Sequence, residues 1–323
     1  MTDNIKNKPL IIIAGPTACG KTSVSVELAK IIGGEIISAD SMQVYKYMDI
    51  GTAKIMPWEM HGIKHYLVDE LYPDEEFSVA VFKNRAKEYI GQVHNKGKIP
   101  IMVGGTGFYI NAVLYDNDFS QDCSDNTVRQ ELRHYLDKNG TEALYDRLRA
   151  VDPVACNTIH MNNTKRVIRA IEFYETTGER ISEHNKQERE RQPYYDGKIF
   201  VLNTDRDKLY SRIDRRIDIM LEQGLVDEVK SLYAKYDRSL VSMQGLGYKE
   251  IIAYLEGECS LDEAIYILKR DTRHFAKRQL TWFRRDSRIN WIYPDNLPQG
   301  STVLNEADKI IKASGLFDAQ RSV

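Results

Sequence analysis

The feature that most limits how this chain can fold is a glycine-rich loop between an apolar run and a helical pattern, in residues 10–23, "LIIIAGPTACGKTS". Residues 15–22 match G-x-x-x-x-G-K-[ST], the spacing of a phosphate-binding P-loop. The run Leu10–Ala14 predicts a buried strand, and Ser23–Ile32 has apolar residues at helical spacing. A strand, a P-loop and a helix in this order predict an α/β fold that binds polyphosphate.

The residues of the loop have distinct predicted roles. Glycines let successive backbone N–H groups turn towards an anion, Lys21 adds a positive charge, and the hydroxyl of Thr22 can hold Mg²⁺. The spacing is typical of ATP-binding proteins, but it does not identify the molecule that carries the phosphates. The predicted diphosphate-binding residues are Gly15, Pro16, Thr17, Ala18, Cys19, Gly20, Lys21 and Thr22.

Strand and helix patterns alternate along the first third of the chain and again after residue 198. Between them, residues 117–197 carry charged helical patterns with almost no strand signal. We therefore predict a P-loop NTPase-like parallel sheet flanked by helices, formed by residues 1–116 and 198–323, with an inserted all-helical subdomain at 117–197. The predicted elements are strands at Gly34–Ser41 and Lys64–Leu71, a helix at Ser78–Gly97, a strand, turn and helix at Lys98–Tyr115, and, after the strand at Lys198, three helices, a strand at Asn290–Tyr293 and a terminal helix.

Composition narrows the class of protein. The 323 residues are 42% hydrophobic and 28% charged with a net charge of −2, and no apolar run has the length of a membrane span. The cysteines, Cys19, Cys123, Cys156 and Cys259, lack metal-binding spacing, so we expect reduced thiols in a cytosolic protein. We expect a monomer.

Three features near the predicted strand ends are candidates for catalysis. Asp40 follows a strand beside the P-loop. There it could belong to the coordination shell of Mg²⁺, act as a general base or cap a turn. Thr106, in "GGTGFY", could donate to a phosphate or cap the following helix. Arg212 and Arg216 lie four residues apart on one helical face, where they could neutralise a leaving diphosphate or simply be solvated.

A basic segment near the C-terminus indicates RNA binding. Lys269–Arg288 contains eight Lys or Arg residues and two Asp residues. As one helix it would place Arg270, Arg273, Lys277 and Arg284 on one face, which favours a phosphate-backbone contact over a solvated face. Upstream, "MQGLGYKE" combines a glycine turn with an aromatic ring for stacking and a lysine for phosphate.

The ordered motifs resemble one family, the tRNA dimethylallyltransferases, also called tRNA isopentenyltransferases. The resemblance covers about residues 9–293, and the absence of a C-terminal Cys/His zinc pattern favours the bacterial type. It implies transfer of a dimethylallyl group from dimethylallyl diphosphate to the exocyclic amine of the adenosine 3′ of the anticodon. The blocks that carry it are "GPTACGKT", "ISADSMQVYKYMDIGTAK", "GGTGFYINAVL", "VDPVACNTIH", "RVIRAIEFYETTG", "GLGYKE" and "RHFAKRQLTWFRR".

The resemblance also implies roles for individual residues. Asp40 would take or orient the amine proton, Thr106 would hold the pyrophosphate, and Lys21, Thr22 with Mg²⁺ and one of the two arginines would stabilise its departure. The adenine would be flipped out of its stack, and the anticodon stem-loop would contact the basic segment and the inserted helices. The predicted tRNA-binding residues are Asp40, Ser41, Met42, Gln43, Lys165, Arg166, Arg169, Gly245, Gly247, Tyr248, Lys249, Arg270, Arg273, Lys277 and Arg278.

The sequence departs from the family pattern at two places, and two other functions remain open. Cys19 stands where the family commonly has Ser, and Asn163-Thr164 replaces a frequent Asp-Pro. A P-loop small-molecule kinase would use the helical insertion as a lid and would consume ATP. An RNA-binding protein without catalysis would hold tRNA and leave dimethylallyl diphosphate intact.

Overall fold

The computed structural model describes residues 8–119, 126–297 and 301–313. They form two compact units that divide between Leu114 and Tyr115 and between Pro193 and Tyr194. Cys123 lies outside the described residues. Within them, no helix combines the length and the apolar character needed to cross a bilayer.

The first unit is built on a six-stranded sheet, which confirms the predicted α/β class. Every strand pair is parallel, and the strand order is β3-β2-β4-β1-β5-β6. Strands β1 and β4 are almost wholly buried apolar runs, as expected for a sheet covered on both faces. The strands are β1 (Pro9–Ala14), β2 (Gly34–Ser38), β3 (His65–Tyr66), β4 (Ile99–Gly104), β5 (Asp196–Leu202) and β6 (Asn290–Ile292).

The helices of this unit begin where the sequence supplies capping side chains. Ser78, Asp205 and Ser260 each accept a hydrogen bond from a backbone N–H in the first turn of the helix that follows. The helices are α1 (Lys21–Ile32), α2 (Val79–Asn95), α3 (Gly107–Leu114), α7 (Arg206–Glu222), α8 (Leu225–Tyr233), α9 (Tyr248–Leu255), α10 (Leu261–Phe283) and α11 (Val303–Ala313).

The second unit is helical in its described part. Its long segment α4 (Asn126–Val151) is interrupted at Gly140, where φ is 83° and ψ is 174°. Two further helices, α5 (Thr164–Thr177) and α6 (Ile181–Glu190), follow, and a core of leucine, valine and isoleucine side chains joins α4 to α5. Asn163 caps α5 through its side chain. A helix therefore still begins here, although the sequence lacks the Asp-Pro that is frequent in the family.

Four sequence predictions about elements are wrong in detail. Strand β3 covers only His65–Tyr66, because Leu67 turns the chain with φ of 59°. Residues 196 and 197 belong to β5, since they pair with Pro9 and Leu10. Four α-helices, α7 to α10, separate β5 from β6, where three were predicted. The basic helix ends at Phe283, so the arginines beyond it lie outside the helix.

Candidate active site

The P-loop lies at the edge where the parallel strands end. Gly15 has φ of 145°, and an added Cβ would lie 2.5 Å from the carbonyl oxygen of Leu202, so only glycine fits between β1 and β5. Gly20 precedes α1 with φ of 90°, and no side chain caps this helix. The first N–H groups of α1 are therefore open to an anion. Lys21 Nζ donates to the carbonyl oxygens of Gly15 and Pro16 at 3.0 and 2.6 Å, which holds its charge over the loop.

A cavity of about 930 Å³ opens beside the P-loop. Both polar and apolar side chains form its wall. The larger polar and charged residues include Lys21, Thr22, Glu27, Asp49, Lys54, Glu59, Arg212 and Arg216. The larger apolar residues are Val26, Ile50, Ile55, Met56, Trp58, Ile219 and Met220, of which Trp58 is 70% exposed.

The two arginines of α7 have different surroundings. Arg212 is exposed and pairs at 3.4 Å with Asp295, which also accepts a hydrogen bond from Thr204. Arg216 is half-buried, and it forms no ion pair within the described part of the chain. Burial lowers the pKa of Arg216, and the nearby Asp40 carboxylate acts in the opposite direction. Both arginines line the P-loop cavity, and Arg216 is the one whose charge interacts with Asp40.

Asp40 has one of the roles left open by the sequence, that of capping a turn. Its Oδ1 accepts hydrogen bonds from the backbone N–H groups of Met42 and Gln43 at 2.8 and 3.3 Å, so it shapes the turn after β2. Its Oδ2 accepts no hydrogen bond from any described residue. One oxygen holds the turn, and the other is available to a substrate.

Thr106 stands directly before α3, after the glycines that end β4. Its carbonyl oxygen accepts from Tyr109 and Ile110, while its hydroxyl has no hydrogen-bond partner among the described residues. The hydroxyl does not cap the helix and remains available as a donor. The side chain of Thr106 does not line the P-loop cavity, and neither does that of Asp40.

Gln279 is a site residue that the sequence reasoning missed. It is buried, accepts from the N–H of Thr17 at 3.1 Å, and donates to the carbonyl oxygen of Gly105 at 3.1 Å. The side chain thus ties the P-loop to the turn that carries Thr106. The available signal was a polar residue within the apolar face of α10, between Ala276 and Phe283 at helical spacing.

The glycine turn before α9 contacts the turn after β2, so the structure brings two predicted tRNA-binding segments together. Gly245 packs against the side chain of Met42, and Lys249 is exposed and pairs with Glu250 at 3.5 Å. The stacking role predicted for Tyr248 is wrong in this structure, because its ring is fully buried and its hydroxyl is bonded to Glu228.

The basic segment does not present a face of one charge. Arg273 donates to both carboxylate oxygens of Asp214 at 2.7 Å, and Lys269 pairs with Asp218 at 2.5 Å, so acidic residues of α7 neutralise part of α10. Arg270 bonds to Asp271 within the helix. The cations that remain exposed without an ion pair in the described residues are Lys277, Arg278, Arg284 and Arg285.

The predicted RNA-binding residues of the second unit lie together on α5. Lys165, Arg166 and Arg169 are all exposed on this helix, while Val167 and Ile171 of the same helix are buried in the core of the unit. The helix therefore presents a basic surface to solvent.

Comparison with known proteins identifies the family. The family model described as IPP transferase matches residues 43–286. A curated protein of Lachnoclostridium phytofermentans, named tRNA dimethylallyltransferase, is 58% identical over 94% of this chain and 97% of its own length. A protein of the same name from Acetivibrio thermocellus is 51% identical over 95% of this chain and 99% of its own length.

Solved structures agree with this result. The tRNA isopentenylpyrophosphate transferase of Bacillus halodurans is 42% identical, with a TM-score of 0.72 and coverage of 98% of both chains. A eukaryotic dimethylallyltransferase acting on tRNA is 29% identical, with a TM-score of 0.80, over 98% of this chain and 81% of its own length. The family model and the relatives together cover nearly the whole sequence, and the chain belongs to the IPP transferase family of tRNA dimethylallyltransferases.

Proposed function

We propose that this chain transfers the dimethylallyl group of dimethylallyl diphosphate to the exocyclic amine of the adenosine 3′ of the anticodon. The observation that carries the proposal is the cavity at the P-loop, whose wall contains both cationic and apolar side chains. Lys21 and Arg216 suit a diphosphate, while Ile55, Met56 and Trp58 suit a short hydrocarbon group. A ligand with a charged head and an apolar tail fits this wall better than a nucleotide with a polar sugar.

The reaction forms a bond between the amine nitrogen and C1 of the dimethylallyl group, and it breaks the bond between C1 and the diphosphate oxygen. Pyrophosphate leaves with the electron pair of that bond, and Lys21, the open N–H groups of α1 and Arg216 stabilise its charge. The free Oδ2 of Asp40 accepts the amine proton. The hydroxyl of Thr106 donates to the diphosphate from the end of β4.

The site could hold Mg²⁺ with a small number of protein ligands. The hydroxyl of Thr22 lines the cavity and has no hydrogen-bond partner among the described residues. Those residues include no cluster of three His, Cys, Asp or Glu side chains that could hold a metal ion. Because Mg²⁺ is commonly held by one or two protein oxygens together with substrate phosphates, Thr22 would bind it jointly with the diphosphate. The ion would supply further positive charge to the departing pyrophosphate.

The tRNA anticodon stem-loop is the proposed partner. In the first unit, Ser41 and Gln43 would border the flipped adenine, and Lys249, Lys277 and Arg278 would contact phosphates. In the second unit, the basic surface of α5 would contact the RNA backbone.

Labelled dimethylallyl diphosphate and undermodified tRNA test the proposal. We expect the label to enter the RNA without ATP, and nuclease digestion to locate it on the adenosine next to the anticodon. The control is an anticodon stem-loop in which inosine replaces this adenosine, because inosine lacks the attacking amine. Label in the inosine substrate, or no label in the natural one, would contradict the proposal.

A further inference from the structure

The turn Asp49–Gly51 is held by a side chain from a distant part of the sequence, Glu228 of α8. Its Oε2 accepts hydrogen bonds from the N–H groups of Asp49 and Ile50 at 3.0 and 2.7 Å, and its Oε1 accepts from the N–H of Gly51 at 3.0 Å. Successive N–H groups that point to one centre form an anion-binding concavity. Here a carboxylate of the same chain fills it, with charge-assisted hydrogen bonds that are stronger than neutral ones.

Tyr248 completes this arrangement, which we call the Glu228 clamp (Glu228, Tyr248 and the turn Asp49–Gly51). The Tyr248 hydroxyl donates to Glu228 Oε1 at 2.7 Å. Burial, followed by the Glu228 charge, raises the pKa of Tyr248, so the hydroxyl keeps its proton and remains a donor. Gly51 lies against the ring so closely that an added Cβ would be 2.7 Å from the Cε2 atom of Tyr248.

The clamped turn leads directly into the candidate active site. Asp49 and Ile50 line the P-loop cavity. The next carbonyl oxygens, of Thr52 and Ala53, each accept from Gln43 Nε2 at 3.2 Å. The backbone N–H of Gln43 in turn donates to Asp40 Oδ1. Hydrogen bonds, joined by the backbone of residues 49–53 and by Gln43, therefore connect α8 to the carboxylate that is proposed to take the proton.

We infer that Glu228 and Tyr248 are positioning residues for the transfer reaction, which fix both a wall of the P-loop cavity and the turn that carries Asp40. The inference rests on the proposed function, because the site that the clamp organises is the one proposed for prenyl transfer. Both oxygens of Glu228 are bonded to the turn or to Tyr248, and Tyr248 is fully buried, so neither side chain touches a reacting atom. Their effect passes through the backbone of residues 49–53.

The decisive experiment compares Tyr248→Phe with a matched control, Tyr66→Phe. Tyr66 also donates its hydroxyl to a buried carboxylate at 2.7 Å, but its partner Glu35 lies near the amino end of β2, away from the site. Both variants lose one hydroxyl group bonded to a carboxylate. Since small displacements of reacting groups change rates by up to about 10²-fold, we expect Tyr248→Phe to lower kcat roughly tenfold and Tyr66→Phe to leave it unchanged.

Glu228→Gln is the stronger variant, because its amide group cannot accept from all three N–H groups. We expect kcat to fall by roughly 10²-fold, with tRNA affinity unchanged, at a temperature where circular dichroism shows a folded protein. If Glu228 had only a structural role, Glu228→Gln would have a lower melting temperature, but its kcat at the assay temperature would equal that of the parent chain. Equal kcat values for Tyr248→Phe and Tyr66→Phe would likewise overturn the inference.

Hydrogen exchange separates failure of the clamp from failure of the proposed function. The amide groups of residues 49–51 should exchange slowly in the parent chain and faster in Glu228→Gln, whatever the reaction is. Equal exchange in both would overturn the inference. If the parent chain transfers no dimethylallyl group, the proposed function is wrong. The exchange rates would still show whether Glu228 fixes the turn.

Discussion

Among single residues, Asp40 holds a turn of the fold and is proposed to serve the reaction as well. Oδ1 holds the N–H groups of Met42 and Gln43, and Oδ2 is free. Asp40→Asn keeps an oxygen that can accept from the turn and removes the base. We therefore expect single-turnover rates at saturating tRNA to fall by roughly 10²–10⁴-fold, with an unchanged melting temperature. An unchanged rate would mean that Asp40 only shapes the turn.

The two arginines of α7, Arg212 and Arg216, give a second prediction about single residues. Loss of one charge that stabilises a leaving group lowers kcat by roughly 10²–10³-fold, and this is the expected result for Arg216→Ala. Arg212→Ala should change kcat by less than about threefold, because Asp295 already neutralises the charge of Arg212, which leaves it less able to stabilise a leaving group. Steady-state kinetics with dimethylallyl diphosphate measures both. If Arg212→Ala is the more damaging change, the assignment of the two arginines is reversed.

At the scale of elements, the exposed cations of α10 should dominate its contact with RNA. Lys277→Ala and Arg278→Ala should each reduce the slope of log affinity for tRNA against log salt by roughly 0.7–0.9. Arg273→Ala is the matched control on the same helix, since Asp214 already neutralises Arg273. Binding isotherms across a salt series check this. If all three variants bind tRNA as the parent chain does, the RNA contact lies elsewhere, with α5 as the first alternative.

The C-terminal turn of α2 gives a pH prediction that is independent of function. Burial, with a smaller effect of Lys8, lowers the pKa of His94 from 6.5 to about 4. Below pH 6.5 the unfolded chain binds a proton that the folded chain rejects, so stability falls as the pH is lowered towards 4. Urea titrations of the parent chain and His94→Gln over this range test it. The variant should lose less stability, and equal losses would contradict the assignment.

Most helices and strands could be predicted from patterns among neighbouring residues. Contacts between elements that are distant in the sequence could not be predicted in this way. The P-loop lies between an apolar strand and a helix, and Ser78 begins the next predicted helix. Both signals depend on neighbouring residues, so they could be recognised. The pairing of Arg273 with Asp214 depends on how α10 packs against α7, and a list of charges along one helix cannot reveal it. Tyr248 was misread for the same reason, because its burial depends on α8 and on Gly51.

At the scale of the whole molecule, the sheet brings residues from four separate segments of the sequence to one edge. The P-loop follows β1, Asp40 follows β2 and Thr106 follows β4, while α7 supplies Arg216. Parallel strands place their carboxyl ends together, which is why open α/β sheets carry their sites at this edge. These four segments are far apart along the chain, and the fold of the first unit brings them to the same edge of the sheet.

The proposed reaction requires that this P-loop holds an isoprenoid diphosphate instead of a nucleotide. The most direct measurement is pyrophosphate release, followed with dimethylallyl diphosphate, tRNA and ATP added singly and in combination. We predict that pyrophosphate appears only when tRNA and dimethylallyl diphosphate are both present, in an amount equal to the label in RNA, and that ATP is neither required nor hydrolysed. Steady ATP turnover stimulated by a small acceptor, without label in tRNA, would contradict the claim and identify a kinase.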